Sequence, residues 1–200
     1  MMTVRNDHPI RGVLFDLDGT LTVPILDFDA MRREIGIDGG PILETLERMS
    51  HAERRRAFRI IEQHEQRAAA ASRLNPGAEE LLAFVARQQL PCGLVTRNSR
   101  ASVQTFIARH GAGFDVVITR EDARPKPSPD PLLRALERLG LRPPESIYVG
   151  DHEIDRLTGE AVGVATYIVR TGGTTRDHGP TDRRLDRLTD LIGIIRRCWE

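Results

Sequence analysis

The stretch GVLFDLDGT, residues 12–20, decides the fold. Its apolar run Gly12, Val13, Leu14, Phe15 is unbroken rather than alternating, the pattern of a strand buried on both faces between helical layers. Polar residues follow at once: Asp16, Asp18 and Thr20, with Gly19 allowing a sharp turn. Open α/β sheets bind their ligands beyond the carboxyl ends of the strands, so this run marks both a strand and a place for chemistry.

Working outward, runs of the same kind recur at Cys92 to Val95, Val116 to Ile118, Ile147 to Val149 and Val164 to Val169. Helical patterns separate them at Ala78 to Gln88, Ser99 to His110, Pro131 to Leu139 and Glu153 to Val162. The alternation predicts βαβ units, hence an α/β fold with a mostly parallel sheet and helices on both faces. Thr189 to Ile195 predicts a short closing helix, and Thr171 to Thr181, rich in glycine, reads as a loop without a chemical role.

Residues 21–74 break the alternation. Phe28, Met31 and Ile35 mark one helical face, and Ile42, Leu43, Leu46 and Met49 a second. Ser50 with Glu53 forms a capping box for a third helix through Phe58, Ile61, Ala68 and Ala69. This segment is expected to be a small all-helical domain inserted after the first strand, dividing a core of residues 1–20 and 75–200. Arg54, Arg55 and Arg56 on the third helix read as a solvated face.

Composition narrows the function. Lys+Arg 29 balances Asp+Glu 29, so there is no overall basic field for nucleic acid or an acidic membrane. No apolar run approaches the roughly 20 residues that span a bilayer. Met1 to His8 lacks the apolar stretch of a secretory signal, and Cys92 and Cys198 are too few for a disulfide scaffold or a cysteine zinc site, so a reducing cytoplasm is expected. Lys126 is the only lysine beside 28 arginines, which sets it apart.

Four polar clusters fall at or after strand ends: Asp16-Leu17-Asp18-Gly19-Thr20, Thr96-Arg97-Asn98, Lys126-Pro127, and Gly150-Asp151 with Asp155 four residues on. Together, in this order, DLDGT, Thr96, Lys126 in KPSPD and GDHEID resemble the haloacid dehalogenase-like hydrolase superfamily. The detail DGTLT, with Asn75-Pro76-Gly77 and VTRN further on, is similar to small phosphoglycolate-phosphatase-type members. The resemblance spans Val13 to Val169. It implies a Rossmann-like three-layer core, a small helical cap of the first type and a phosphatase requiring Mg²⁺.

It also implies roles. Asp16 would be the nucleophile, forming an aspartyl-phosphate that splits one difficult displacement into two easier ones. Asp18 would protonate the leaving oxygen and later take a proton from water. Asp16, the backbone carbonyl of Asp18 and Asp151 would hold Mg²⁺, a hard cation suited to oxygen ligands. Thr96, Arg97, Asn98 and Lys126 would bind phosphate, with Asp155 fixing Lys126 and Gly19 turning the chain. Asn98 could equally be a helix N-cap before Ser99. Arg32 is the candidate for a substrate contact from the cap, while His152 and Glu153 read as bystanders at a helix start. The partner is then a small phosphorylated metabolite, with neither nucleic acid nor membrane.

Other readings remain open at this point. A dehalogenase does not need Asp18, and the phosphonate branch needs a cap lysine that residues 21–74 lack. A phosphosugar mutase shares the core residues, although such relatives often carry Glu where Gly150 stands. A catalytically idle binding module would have no use for intact Asp16, Asp18, Lys126 and Asp151.

Overall fold

The computed structural model describes residues 9–170 and 183–199. The stretch Met1 to His8 and the loop expected at 171–181 lie outside the described residues.

Strand β1 (Gly12–Phe15) is followed by helices α1 (Phe28–Ile35), α2 (Ile42–Leu46), α3 (His51–Ala71) and α4 (Ala78–Arg87). Then come β2 (Cys92–Val95), α5 (Arg100–His110), β3 (Val116–Ile118) and α6 (Asp130–Leu139). The chain closes with β4 (Ser146–Gly150), α7 (Glu153–Val162), β5 (Ala165–Val169), β6 (Arg184–Leu185) and α8 (Asp190–Arg197). The sheet order is β3-β2-β1-β4-β5-β6, and every pairing is parallel. Strand β6, two residues long, has no counterpart among the predicted strands, because two residues are too few to show a period.

Side-chain alternation builds the layers. Val13 and Phe15 join Leu81, Phe84, Val103, Phe106, Leu191 and Ile195, so α4, α5 and α8 cover one face. Leu14, between them in sequence, joins Leu132, Ala135 and Leu136 of α6 on the other. The order reverses at β1, where the chain runs out to β2 and β3 and then returns to β4 on the opposite side. That reversal opens a crevice between the loops after β1 and β4.

Helices α1–α3 have a cluster of their own, with Met31, Ile42, Leu46, Ala57 and Ile61 buried together. Of the three residues expected on the α1 face, Met31 is buried and Ile35 packs against the cluster, whereas Phe28 is 43% exposed. The capping box forms: Ser50 Oγ accepts from Glu53 N while the Glu53 carboxylate accepts from Ser50 N. Bridges from Thr22 to Asp18 and to Leu74 bind the two crossings of the chain together. Asn75 Nδ2 donates to the carbonyls of Gly19, Thr20 and Thr22 at 3.0, 2.7 and 2.9 Å, fixing the turn after β1.

Candidate active site

The crevice at the reversal gathers the predicted residues. Parallel pairing brings the carboxyl ends of β1, β2 and β4 into line, with Phe15 opposite Leu94 and Val149. Asp16, Thr96 and Asp151 therefore leave the sheet side by side. Lys126, 110 residues from Asp16 in sequence, donates from Nζ to Asp16 Oδ1 at 2.5 Å. The same ammonium donates to Asp155 Oδ1 at 2.7 Å and to the Tyr148 hydroxyl at 2.8 Å, using all three of its protons. Tyr148 in turn donates to Asp155 Oδ1 at 2.7 Å. The expectation that Asp155 holds Lys126 fits this geometry.

Two glycines make the approach possible. Gly19 has φ of +84°, and a Cβ there would come within 2.1 Å of Asp151 Oδ2. A Cβ on Gly150 would come within 2.3 Å of the Asp155 Cβ. A larger residue at position 150 has no room while Asp155 holds this position.

Asp18 is held from two sides, accepting from Asn98 Nδ2 at 2.5 Å and from Thr22 Oγ1 at 3.5 Å. Asn98 thus turns its amide to Asp18 rather than capping α5; the N-cap is Ser99, whose hydroxyl accepts from Ser102 N. Thr96 Oγ1 accepts from Asn98 N at 3.2 Å and shapes the loop after β2. Arg97 points to the helical segment: Nη2 donates to both carboxylate oxygens of Glu44 at 2.9 Å, and Nη1 donates to the Lys126 carbonyl at 2.9 Å. Arg32 lies within α1, bonded to the Gly40 carbonyl at 3.1 Å and to Asp29 at 2.6 Å. His152 caps α7 through its ring Nδ1, and Glu153 pairs with Arg156 on the same helix.

Burial and charge set the protonation. Burial drives the Asp16 carboxyl up to about 7, against the pull of Lys126 and with repulsion from Asp155 and Asp18 adding to it. Burial likewise drives Asp18 up to about 6, with the Asn98 hydrogen bond opposing. Asp155 is held below its ordinary value because Lys126 and the Tyr148 hydroxyl outweigh its burial. Lys126 is raised although burial works against it, since two carboxylates surround it. An acid close to neutrality can give and take protons in one cycle, the property a general acid–base needs.

Asp16, Asp151 and Asp155 each offer an oxygen within 4.8 Å of the others. This all-oxygen set suits a hard divalent cation. Asp155 spends Oδ1 on Lys126 and Tyr148 and Oδ2 on His152 N, whereas Asp16 gives Oδ1 to Lys126 and meets Thr20 Oγ1 on Oδ2 only at 3.4 Å.

Tyr148 and Glu44 escaped the sequence reading. Tyr148 sits inside a strand and reads as core, although a buried phenol needs a partner for its hydroxyl. Glu44 lies on a short helix 53 residues from Arg97, and nothing local announces the pair.

A family model described as haloacid dehalogenase-like hydrolase matches residues 22–169. The chain belongs to the haloacid dehalogenase-like hydrolases. The matched span begins after Asp16 and Asp18, so the carboxylate pair is an observation independent of that match. Among relatives within the family, a haloacid dehalogenase-like hydrolase domain-containing protein of Arabidopsis thaliana is 33% identical over 90% of this chain and 78% of its own. A pyrophosphatase of Bacillus velezensis is 31% identical over 94% of this chain and 97% of its own. A solved hydrolase from Pseudomonas syringae shares the fold with a TM-score of 0.80 at 20% identity, covering 94% of this chain and 98% of that one. This haloacid dehalogenase-like hydrolase therefore has the Rossmann-like α/β architecture of its relatives.

Proposed function

We propose that the chain is a Mg²⁺-dependent phosphatase that hydrolyses a small phosphomonoester through an aspartyl-phosphate on Asp16. The observation that carries this is the buried Asp16 carboxylate, 2.5 Å from the only lysine and beside the second carboxylate pair member Asp18. Phosphoryl transfer needs positioning and charge neutralisation more than covalent novelty from the protein. A Mg²⁺ held by Asp16, Asp151 and the Asp18 carbonyl would offset the charge of an incoming phosphoryl group and polarise it.

The chain's own residues supply the rest. An oxygen of Asp16 attacks phosphorus, and the P–O bond to the leaving alcohol breaks. Asp18, held by Asn98 and Thr22, delivers its proton to that leaving oxygen, then removes one from the water that cleaves the acyl phosphate. Thr96 donates to the phosphoryl oxygens, and Lys126, fixed by Asp155 and Tyr148, turns to them the N–H that it gives to Asp16 Oδ1 in the free site. Residues 21–74 act as the cap that covers this site, and residues 1–20 and 75–200 as the catalytic core.

A cytoplasmic enzyme acting on a soluble metabolite fits this reading, and no helix among the described residues is long and apolar enough to cross a membrane. The test is a panel of phosphorylated metabolites and an aryl phosphate, each with and without Mg²⁺. Release of inorganic phosphate only when Mg²⁺ is present supports the reading; no release from any substrate contradicts it. Phosphate retained on an isomerised sugar would favour the mutase instead.

A further inference from the structure

Arg97 occupies a peculiar place. It stands between Thr96 and Asn98, the two residues that shape the loop against Asp18, yet its guanidinium is directed to Glu44 on α2. Nη1 holds the carbonyl of Lys126, the residue whose ammonium holds Asp16. The guanidinium is therefore placed one lysine side chain away from the nucleophile, at the rim of the crevice. Both partners reach solvent, with side-chain exposures of 22% for Arg97 and 40% for Glu44.

The pairing is singular in its electrostatics. A site that must receive a phosphoryl dianion has a carboxylate from the helical segment at its edge, tolerated because an arginine neutralises it. One nitrogen, Nη2, serves both oxygens of Glu44, so the paired edge of the guanidinium is not used as a full two-nitrogen fork. The Nε–H of Arg97 makes no hydrogen bond among the described residues, leaving a donor for a planar anion. An ion pair whose carboxylate is open to solvent is worth little, so a ligand can displace Glu44 at small cost. Arginine is the side chain best matched to a carboxylate or phosphoryl group by geometry.

We infer that Arg97 is a specificity-determining residue that binds a second anionic group of the substrate, a carboxylate or a second phosphoryl, and that Glu44 occupies that group's place in the free enzyme. This rests on the phosphatase reading and narrows its substrate class to short phosphomonoesters carrying a further anion. The substrate's second anion takes Arg97 while its phosphoryl group meets Asp16 and Lys126. Glu44 is released in the same event, so anion recognition at the core is coupled to the position of α2.

The test compares matched substrates at saturating Mg²⁺. Glycerol 3-phosphate and 3-phosphoglycerate differ at the end remote from phosphorus, hydroxymethyl against carboxylate; fructose 1-phosphate and fructose 1,6-bisphosphate form the second pair. The parent enzyme should favour the member with the extra anion by about tenfold or more in kcat/KM, as expected for a charge-assisted hydrogen bond. Arg97→Gln should bring that ratio to near one, the loss appearing in KM. Glu44→Gln should raise the ratio severalfold by weakening the competitor, and it carries the test alone if Arg97→Gln does not fold. The pair that responds says whether the anion is carboxylate or phosphoryl. Loss of activity toward both members with the ratio unchanged would assign Arg97 a purely structural role and overturn the inference. An unchanged ratio in Glu44→Gln overturns the competition between Glu44 and substrate. A parent inactive on all four, and on an aryl phosphate, overturns the phosphatase reading itself, a result distinct from an active parent indifferent to Arg97.

Discussion

Two buried networks of carboxylates and cations lie on either side of the loop after β2, and they differ in charge balance. Glu65 of α3 is 5% exposed and pairs with Arg120, while also accepting from Ser99 N at 3.0 Å and Ser102 Oγ at 3.3 Å. Arg120 lies over the Phe58 ring, 5.6 Å from its centroid. One buried acid there meets one base, the exposed Glu121 lying 3.8 Å from the Arg120 Nε, and the surrounding donors complete the Glu65 carboxylate. In the crevice, Asp16 and Asp155 both pair with Lys126, and Asp18 stands close enough to act on Asp16. The first network gives its buried acid a cation and two donors and ties α3 to the start of α5. The second sets more than one carboxylate around one ammonium among the described residues, and carboxylates crowded and perturbed in this way are the physical mark of a functional site.

Replacing the nucleophile should cost most. Asp16→Asn should lower kcat by at least about 10⁴-fold in a phosphate-release assay, as removal of an essential nucleophile does. Without Mg²⁺ at pH 8, its melting temperature should stay level or rise, because the variant removes one charge from an overcrowded cluster. A steep fall in melting temperature would mean that Asp16 belongs to the fold rather than to the chemistry. Next is Asp18→Asn, which keeps its backbone carbonyl and loses proton transfer, for an expected drop of about 10² to 10⁴ in turnover.

Removing the cation from each network sharpens the contrast. Lys126→Met and Arg120→Met each leave buried carboxylate unpaired, at an expected cost of about 3–5 kcal/mol in denaturant unfolding. Added Mg²⁺ should restore part of the loss in Lys126→Met and none in Arg120→Met. Equal rescue of both, or of neither, would erase the distinction between the networks.

The smallest effect is the pH response. The folded Asp16 carboxyl titrates near 7, above its ordinary 3.8, so the metal-free folded state binds an extra proton between those values. Stability of the metal-free protein should therefore fall as pH rises from about 4 to about 7. Mg²⁺ competes with that proton, so its affinity should rise with pH over the same window. Calorimetric titration at pH 5.5 and pH 7.5 measures this directly, and equal affinities would show that Asp16 is not a ligand.

Much of this site was legible because its signals are local. Phe15 and Val149 end apolar runs, and Asp16 and Asp151 follow them; the parallel sheet then had to bring the two together. Ser50 and Glu53 announced the start of α3 by a three-residue spacing. Lys126 stood out by residue type alone. Tyr148, Glu65 and Glu44 did not, since each acts across a contact whose two sides are remote in sequence or hidden within a regular element. Asn98 was ambiguous for a related reason: its side chain can cap a helix or reach a carboxylate 80 residues away, and only tertiary packing chooses.

The most direct measurement of the central claim is covalent trapping at Asp16. A phosphorylated substrate found by the panel is mixed with the Asp18→Asn variant and Mg²⁺, quenched in acid within the first turnover, and the chain is mapped by mass spectrometry. A phosphoryl adduct is expected on the peptide carrying Asp16, and none in Asp16→Asn. An adduct on another residue, or turnover by the parent with no adduct under any quench time in either protein, contradicts it.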